Sequence, residues 1–242
     1  MRSPRQQTTC DHWRVRVQRS FAFIDLAGFS NLTVRQGDER AVTLLGEFRA
    51  LVREICSRRG VRIAKWLGDG AMLVGVEAEW LVAAVLELQH AVADRRLPVP
   101  VKCGVTTGAV ILLEGDDYIG HAVNVASRLC DRAEPHQILA TTAVVPHLPP
   151  WGTVLRSDHI LLRGLDEAQT VVQLGLRTGD ATAEPDPVCG IRLSPSVAVH
   201  VRHDGVGRAL LLCSDSCLET WEGRPRPVPE ESGSFRVPFI GS

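Results

Sequence analysis

Two apolar runs, VRIAKWL (61–67) and AMLVGV (71–76), stand on either side of Gly68-Asp69-Gly70. Three residues rich in glycine between strand-prone runs predict a tight hairpin. Upstream, FAFIDL (21–26) is a short β-prone run that breaks at Ala27-Gly28. Apolar residues at 41, 44, 45, 48, 51, 52 and 55 follow helical spacing, so one helix is expected over about 28–58. A second helix is expected over 79–94. Residues 99–115 read as a strand, a turn near Gly108 and another strand, and 121–133 as a helix stopped by Pro135. Three short strands follow, in QILAT, HILLRGL and TVVQLGL. The order β-α-β-β-α-β-β-α-β predicts an α+β fold, with helices on one face of a mostly antiparallel sheet.

Length and charge bound the rest. With 242 residues, 45% hydrophobic and 23% charged, the chain suits a soluble core with a small appendage. The net charge of −1 gives no ground for a nucleic-acid or membrane partner. No apolar run reaches membrane-spanning length and the N-terminus lacks the apolar core of a signal peptide, so cytoplasmic residence is expected. Residues 1–19, with five arginines and one aspartate, read as a flexible lead. Residues 20–176 form the main domain, 177–184 a linker, 185–223 a small cysteine module, and 224–242 a Pro- and Gly-rich tail expected to be disordered. Only Lys65 and Lys102 are lysines, and Tyr118 is the only tyrosine.

Asp25 ends an apolar strand and Asp69 tips the hairpin. If these strands are neighbours, the carboxylates converge at one sheet edge, the arrangement that a hard divalent cation such as Mg²⁺ requires. Gly28-Phe29-Ser30 opens the following helix, and its N–H groups would cradle a phosphate. Asn124 and Arg128 share a helix face. Each signal has a plain structural counterpart: Asp69 as a turn residue, Asn124 and Arg128 as a solvated face, Asp25 as a cap, Lys65 as a strand-edge lysine. Their co-occurrence is the informative point.

FAFIDLAGFS, KWLGDGAM and GDDYIGHAVNVASRL resemble the three signature segments of class III nucleotidyl cyclases, over about Phe21 to Leu176. The resemblance implies a palm-like βαββαβ core of ferredoxin-like type, working as a homodimer with its sites across the interface. By motif position, Asp25 and Asp69 match the two metal-binding aspartates, for two Mg²⁺ or Mn²⁺ ions. Lys65 and Asp117 match the purine-reading pair, Asn124 the ribose-orienting residue, Arg128 the transition-state arginine and Arg163 a contact to the terminal phosphates. A lysine donates to adenine N1 and an aspartate accepts from the 6-amino group. Guanine reverses both polarities, so ATP is the expected substrate. A non-catalytic nucleotide-binding or dimerisation module is the alternative. A diguanylate-type cyclase is disfavoured, since no GG[DE]EF-like segment occurs.

Seven cysteines without a secretion signal argue against a disulfide framework. Cys56, Cys103 and Cys130 sit among apolar neighbours and read as buried small hydrophobes; Cys10 is scattered with them. Cys213 and Cys217 lie one helical turn apart, with Cys189 in a knuckle-like turn upstream. Such thiolates suit Zn²⁺ or Cu⁺, with Asp186, His200 or His203 as fourth ligand. DPVCG and CSDSC resemble the YHS domain, related to the TRASH metal-binding modules, which implies a small treble-clef-like accessory domain. The leucines 210–212 depart from the aromatic residues usual there. A small thiol-containing fold without metal remains the alternative.

Overall fold

The computed structural model describes residues 15–113, 117–164, 167–177 and 183–223. Most of the expected lead (1–14), most of the linker (178–182) and the whole tail (224–242) lie outside these residues, as does Cys10.

The chain runs β1 (Val15–Leu26), α1 (Phe29–Gln36), α2 (Asp38–Arg59), β2 (Arg62–Leu67), β3 (Gly70–Gly75), α3 (Ala78–Asp94), β4 (Val101–Leu112), β5 (Tyr118–Ile119), α4 (His121–Arg132), β6 (Ile138–Thr141), a 3₁₀ turn (Thr142–His147), β7 (Gly152–Ile160) and β8 (Gln169–Leu176). The strands form one sheet in the order β2-β3-β1-β4-β6-β8-β7, with β5 on β4. Among the described residues, only β4 and β6 pair in parallel. The α+β, mostly antiparallel expectation therefore matches the fold.

Five local expectations change. The strand expected in HILLRGL lies earlier, as β7 over Gly152–Ile160, and Leu161–Gly164 are not strand. β1 starts at Val15, so residues 15–19 are strand rather than lead, paired along β4 from Leu112 back to Gly108. β4 is one strand of 12 residues with no turn at Gly108, because Gly108 pairs with Arg19 in a continuous ladder. The helix expected over 28–58 is two. Gly37, at φ 82°, breaks it, and Asp38 and Glu39 open α2 where the helix dipole favours acids. The β2–β3 loop has two residues, Gly68 and Asp69, since Gly70 already pairs with Leu67.

Helices cover both faces of the sheet, not one. Ala22, Ile24 and Leu26 of β1 pack with Leu44, Phe48 and Leu81 of α2 and α3. Phe21, one residue out of phase, packs with Val110, Ala122 and Ala126 beneath α4. Successive side chains on a strand point to opposite faces, so an apolar run without alternation serves two layers. Each buried Leu or Phe contributes on the order of 1.5–3 kcal/mol.

Beyond β8, β9 (Glu184–Pro185) pairs with β10 (Arg192–Leu193), and β11 (His200–His203) pairs with β12 (Ala209–Leu212). α5 (Asp215–Trp221) follows, capped by the Ser214 hydroxyl, which accepts from the Cys217 N–H. Leu211, Leu212, Cys213 and Cys217 belong to the same apolar cluster as α2 and α3.

Candidate active site

Asp25 is the penultimate residue of β1 and pairs with Gly70 on one side and Lys102 on the other. A Cβ on Gly70 would stand 2.4 Å from the Ile24 carbonyl oxygen and 3.2 Å from Asp25 Oδ1. Only glycine allows this approach, and it brings the Asp69 loop against Asp25. Burial and then the Asp25 charge push the Asp69 carboxyl above its ordinary value. Two carboxylates that repel one another at a sheet edge fit a cation, so the donor set suits Mg²⁺ or Mn²⁺.

Lys102 Nζ lies 3.2 Å from Asp25 Oδ2. Sequence alone assigns this lysine no role beyond a solvated strand edge. Its signal was there: a rare lysine in an apolar strand, whose partner only the β1–β4 register reveals.

On the edge hairpin, Lys65 Nζ donates to Asp117 Oδ1 at 2.7 Å, with both side chains about half exposed. The hydrogen bond from Lys65 holds the Asp117 carboxyl below its usual range. Tyr118 pairs with Leu112 and meets Phe21 edge to face, and its hydroxyl accepts from Arg62 Nη2 at 3.0 Å. Arg62 carries no motif that marks it in the sequence. Leu67 and Ile119, close in sequence to Lys65 and Asp117, are exposed.

Gly28 caps α1 with φ 91°, and Phe29 and Ser30 form its first turn, where N–H groups have no intrahelical partner. Asn124 and Arg128 are exposed on α4, and Arg128 lies 3.6 Å from Asp131. Arg163 is exposed in the β7–β8 connection, next to residues 165–166, which are outside the described set.

In the module, Cys213 Sγ lies 3.5 Å from both Cys189 Sγ and Cys217 Sγ. Asp186 completes a group whose ligating atoms all lie within 4.8 Å of one another. Hydrogen bonds from the Cys189 and Cys217 thiols, followed by the charge of Arg59, hold the Cys213 thiol well below its ordinary value against the opposing effect of burial. Of the other two candidates for fourth ligand, His200 instead meets Asp215 at 2.6 Å, and His203 stands at the far end of β11. Cys56, Cys103 and Cys130 are buried and free, as their apolar surroundings imply. Burial pushes the Cys56 and Cys130 thiols up to about 12.

The sheet thus presents two adjacent carboxylates and a lysine–aspartate pair on one edge hairpin and its neighbours, which defines a palm-type α+β domain with a charged, polar face. The chain belongs to the adenylate and guanylate cyclase catalytic domain family, whose model matches residues 17–175. It is 36% identical over 144 residues to an uncharacterized protein of Mycobacterium bovis, covering 60% of this chain and 38% of that protein. It is 31% identical over 126 residues to an adenylate cyclase of Streptomyces coelicolor, covering 52% and 33%. The chain therefore spans about a third of the length of these curated relatives. Among solved structures, the adenylyl cyclase CyaB from P. aeruginosa superposes with a TM-score of 0.62 at 22% identity, covering 68% of this chain and 97% of that one. The guanylyl cyclase Cya2 gives 0.62 at 19% identity, covering 68% and 95%. The fold is common to both. Among the described residues, no helix is long and apolar enough to cross a membrane.

Proposed function

We propose that this chain is an adenylate cyclase, converting ATP to 3′,5′-cyclic AMP and pyrophosphate at a site shared between two copies. The observation that carries the reading is the approach of the Asp69 loop to Asp25 over the bare Gly70 backbone.

Asp25 and Asp69 would hold two Mg²⁺ or Mn²⁺ ions. Bound there, divalent ions lower the pKa of the ribose 3′-hydroxyl and offset charge on the phosphates. The 3′-hydroxyl gives up its proton to solvent as its oxygen attacks the α-phosphorus, and the bond to the bridging oxygen breaks in line, so pyrophosphate leaves with that electron pair. Gly28, Phe29 and Ser30 hold phosphate oxygens through backbone N–H groups, and Arg163 meets the terminal phosphates. Asn124 orients the ribose, and Arg128 offsets the charge growing on the pentavalent phosphorus.

Lys65 and Asp117 satisfy each other at 2.7 Å until a base arrives. An adenine edge exchanges that bond for two, N1 accepting from Lys65 and the 6-amino group donating to Asp117. Guanine would leave both side chains facing groups of the wrong polarity, at a cost of about 1–3 kcal/mol each. Exposed Leu67 and Ile119, together with exposed Asn124 and Arg128, support a face that a second copy covers. The cysteine module is read as an accessory unit of YHS type that holds a transition metal and modulates the domain.

A cyclase assay with Mn²⁺ or Mg²⁺ and either nucleotide tests the reading. Cyclic AMP formation that is lost in Asp25→Ala supports it. Nucleotide binding without turnover returns the chain to a binding or dimerisation module, and equal use of GTP removes the base-pairing argument.

A further inference from the structure

Arg59, the last residue of α2, is only 2% exposed. A guanidinium in that position needs every donor answered, because an uncompensated buried charge costs several kcal/mol. Its Nε donates to Glu87 Oε2 of α3 at 2.7 Å, and Glu87, itself 1% exposed, also accepts from Arg58. The other edge of the fork leaves the cyclase-family domain altogether. Nη1 donates to Ser214 Oγ at 2.7 Å and Nη2 to Cys213 Sγ at 3.0 Å. Trp151 closes the site, its ring 5.7 Å from the guanidinium and its Nε1 donating to the Cys213 carbonyl at 2.9 Å.

A neutral thiol is a weak acceptor and a poor partner for a buried cation. A sulfur shared with an ion is a good one. Cys189 and Cys217 stand 3.5 Å from Cys213, near the roughly 3.8 Å separating sulfurs around a tetrahedral zinc. Asp186, 1% exposed, binds both cysteine-bearing loops. Its Oδ2 accepts from Cys213 N at 2.7 Å, and its Oδ1 accepts from Val188 N at 2.8 Å and Cys189 N at 3.3 Å. Oδ2, with one hydrogen bond, keeps a lone pair for an ion. Three thiolates and a carboxylate exceed the charge of a divalent ion by two, and Arg59 is the cation placed to offset part of that excess.

We propose that Arg59 is the positioning counter-cation of a buried site for one zinc-class ion held by Asp186, Cys189, Cys213 and Cys217, so that metal loading clamps the module onto α2. The proposal rests on reading the module as a metal-holding unit, and adds the fourth donor and the contact that carries occupancy into the neighbouring domain. α2 is a rigid element touching both places. Its end sits on Cys213, while further back Arg49 Nη2 donates to the Gly68 carbonyl at 2.9 Å and Arg49 and Arg53 stack over Trp66. Gly68 and Trp66 adjoin Asp69 and Lys65. Fixing the end of α2 therefore restrains the hairpin that presents both residues.

Cobalt titration of the reduced full chain tests this. The wild type is expected to take one Co²⁺ per chain at this site, with thiolate-to-cobalt charge-transfer bands and tetrahedral ligand-field bands that zinc abolishes. Arg59→Met is expected to keep the band positions but bind about 10- to 100-fold more weakly, as loss of an outer-shell partner does. Arg59→Lys, which keeps the charge without the fork, falls between. Zinc is expected to slow amide exchange at Gly68 and Asp69 in the wild type and not in Arg59→Met. Wild-type chain that takes neither metal while all three thiols react with a thiol reagent overturns the site. Binding of Cu⁺ alone overturns the four-donor set. Unchanged affinity in both Arg59 variants overturns the role of Arg59 and leaves the metal site standing. Asp25→Ala is expected to lose turnover and keep the cobalt spectrum, which separates failure here from failure of the cyclase reading.

Discussion

Lys102 Nζ lies 3.2 Å from Asp25 Oδ2, between register partners on β4 and β1. The ammonium supplies a tethered positive charge to a carboxylate that would hold a divalent ion. Lys102→Met makes the edge more negative while keeping the length of the stem. The side chains are partly exposed, so solvent screens the effect and the gain stays small. Mn²⁺ is expected to bind about two- to fivefold more tightly, measured by electron paramagnetic resonance of free Mn²⁺. Weaker binding would mean that Lys102 aligns Asp25 more than it competes for it.

Asp117 accepts from Lys65 and from its neighbour's backbone, the Tyr118 N–H, at 3.2 Å. Asp117→Ala would remove the acceptor proposed for the 6-amino group, together with the hydrogen bond from Lys65. The expected loss in kcat/KM for ATP is about 1–3 kcal/mol, or roughly 5- to 150-fold. The loss with GTP is expected to be smaller, so the ATP/GTP ratio falls. A ratio that does not move would remove Asp117 from base recognition.

What the sequence made legible follows from the range of each interaction. The β2–β3 hairpin, α3 and α4 were readable because turn glycines and apolar spacing are local. The short motifs single out Asp25, Lys65, Asp69 and Asp117 as candidates, whose roles belong to the proposed function. The ladder from β1 to β4 was not readable. Pairing of Arg19 with Gly108 joins residues far apart in sequence, and it turned an apparent lead into strand and an apparent turn at Gly108 into mid-strand. The same holds for the sites. Lys102 gains its meaning from register, and Arg59 from a contact 154 residues away. Burial of Arg59, at the end of α2, and of Glu87, midway along α3, has no local signal, because charged side chains on helices ordinarily face water.

Asn124 and Arg128 are exposed on α4, whereas Asp25 sits at the β1 edge beside Lys102 and Gly70. In the shared-site arrangement, one chain supplies the carboxylates and its partner supplies the α4 residues. Asp25→Ala and Arg128→Ala are each expected to be inactive alone. Mixed, they form heterodimers in which one of two sites is intact, so activity should return to roughly a quarter of the wild-type level with random pairing. No recovery, with heterodimers confirmed by differential tagging, would sink the shared site.

The Asp69 carboxyl is raised by burial and by Asp25. The folded chain therefore keeps this proton to higher pH than the unfolded chain does. Its contribution to stability is fully present below the unfolded-state pKa and is lost as pH rises through the raised, folded value. Asp69→Asn removes the ionisation. Without divalent ions, its melting temperature is expected to exceed that of wild type near neutral pH. Partial exposure limits the gain to under about 2 °C. In acid, where Asp69 is already protonated, the two curves should converge. A gain that persists undiminished in acid would point to a cause other than charge.

Gly104 and Gly46 make opposite predictions from the same substitution. A Cβ at Gly104 would stand 2.2 Å from both the Ala126 carbonyl oxygen and the Cys130 amide nitrogen of α4. Neither is the end of a flexible side chain, so the helix itself has to move away from β4. Overpacking against backbone is expected to cost about 3 kcal/mol in Gly104→Ala, measured by urea unfolding. Because α4 carries Asn124 and Arg128, the folded fraction should also lose turnover. Gly46, exposed within α2, has nothing within 4 Å of the place a Cβ would take. Gly46→Ala only restricts the unfolded chain and improves helix propensity, so a gain of about 0.5–1 kcal/mol is expected. Opposite signs in the two variants would tie the cost at Gly104 to the close approach of α4 and not to the loss of glycine.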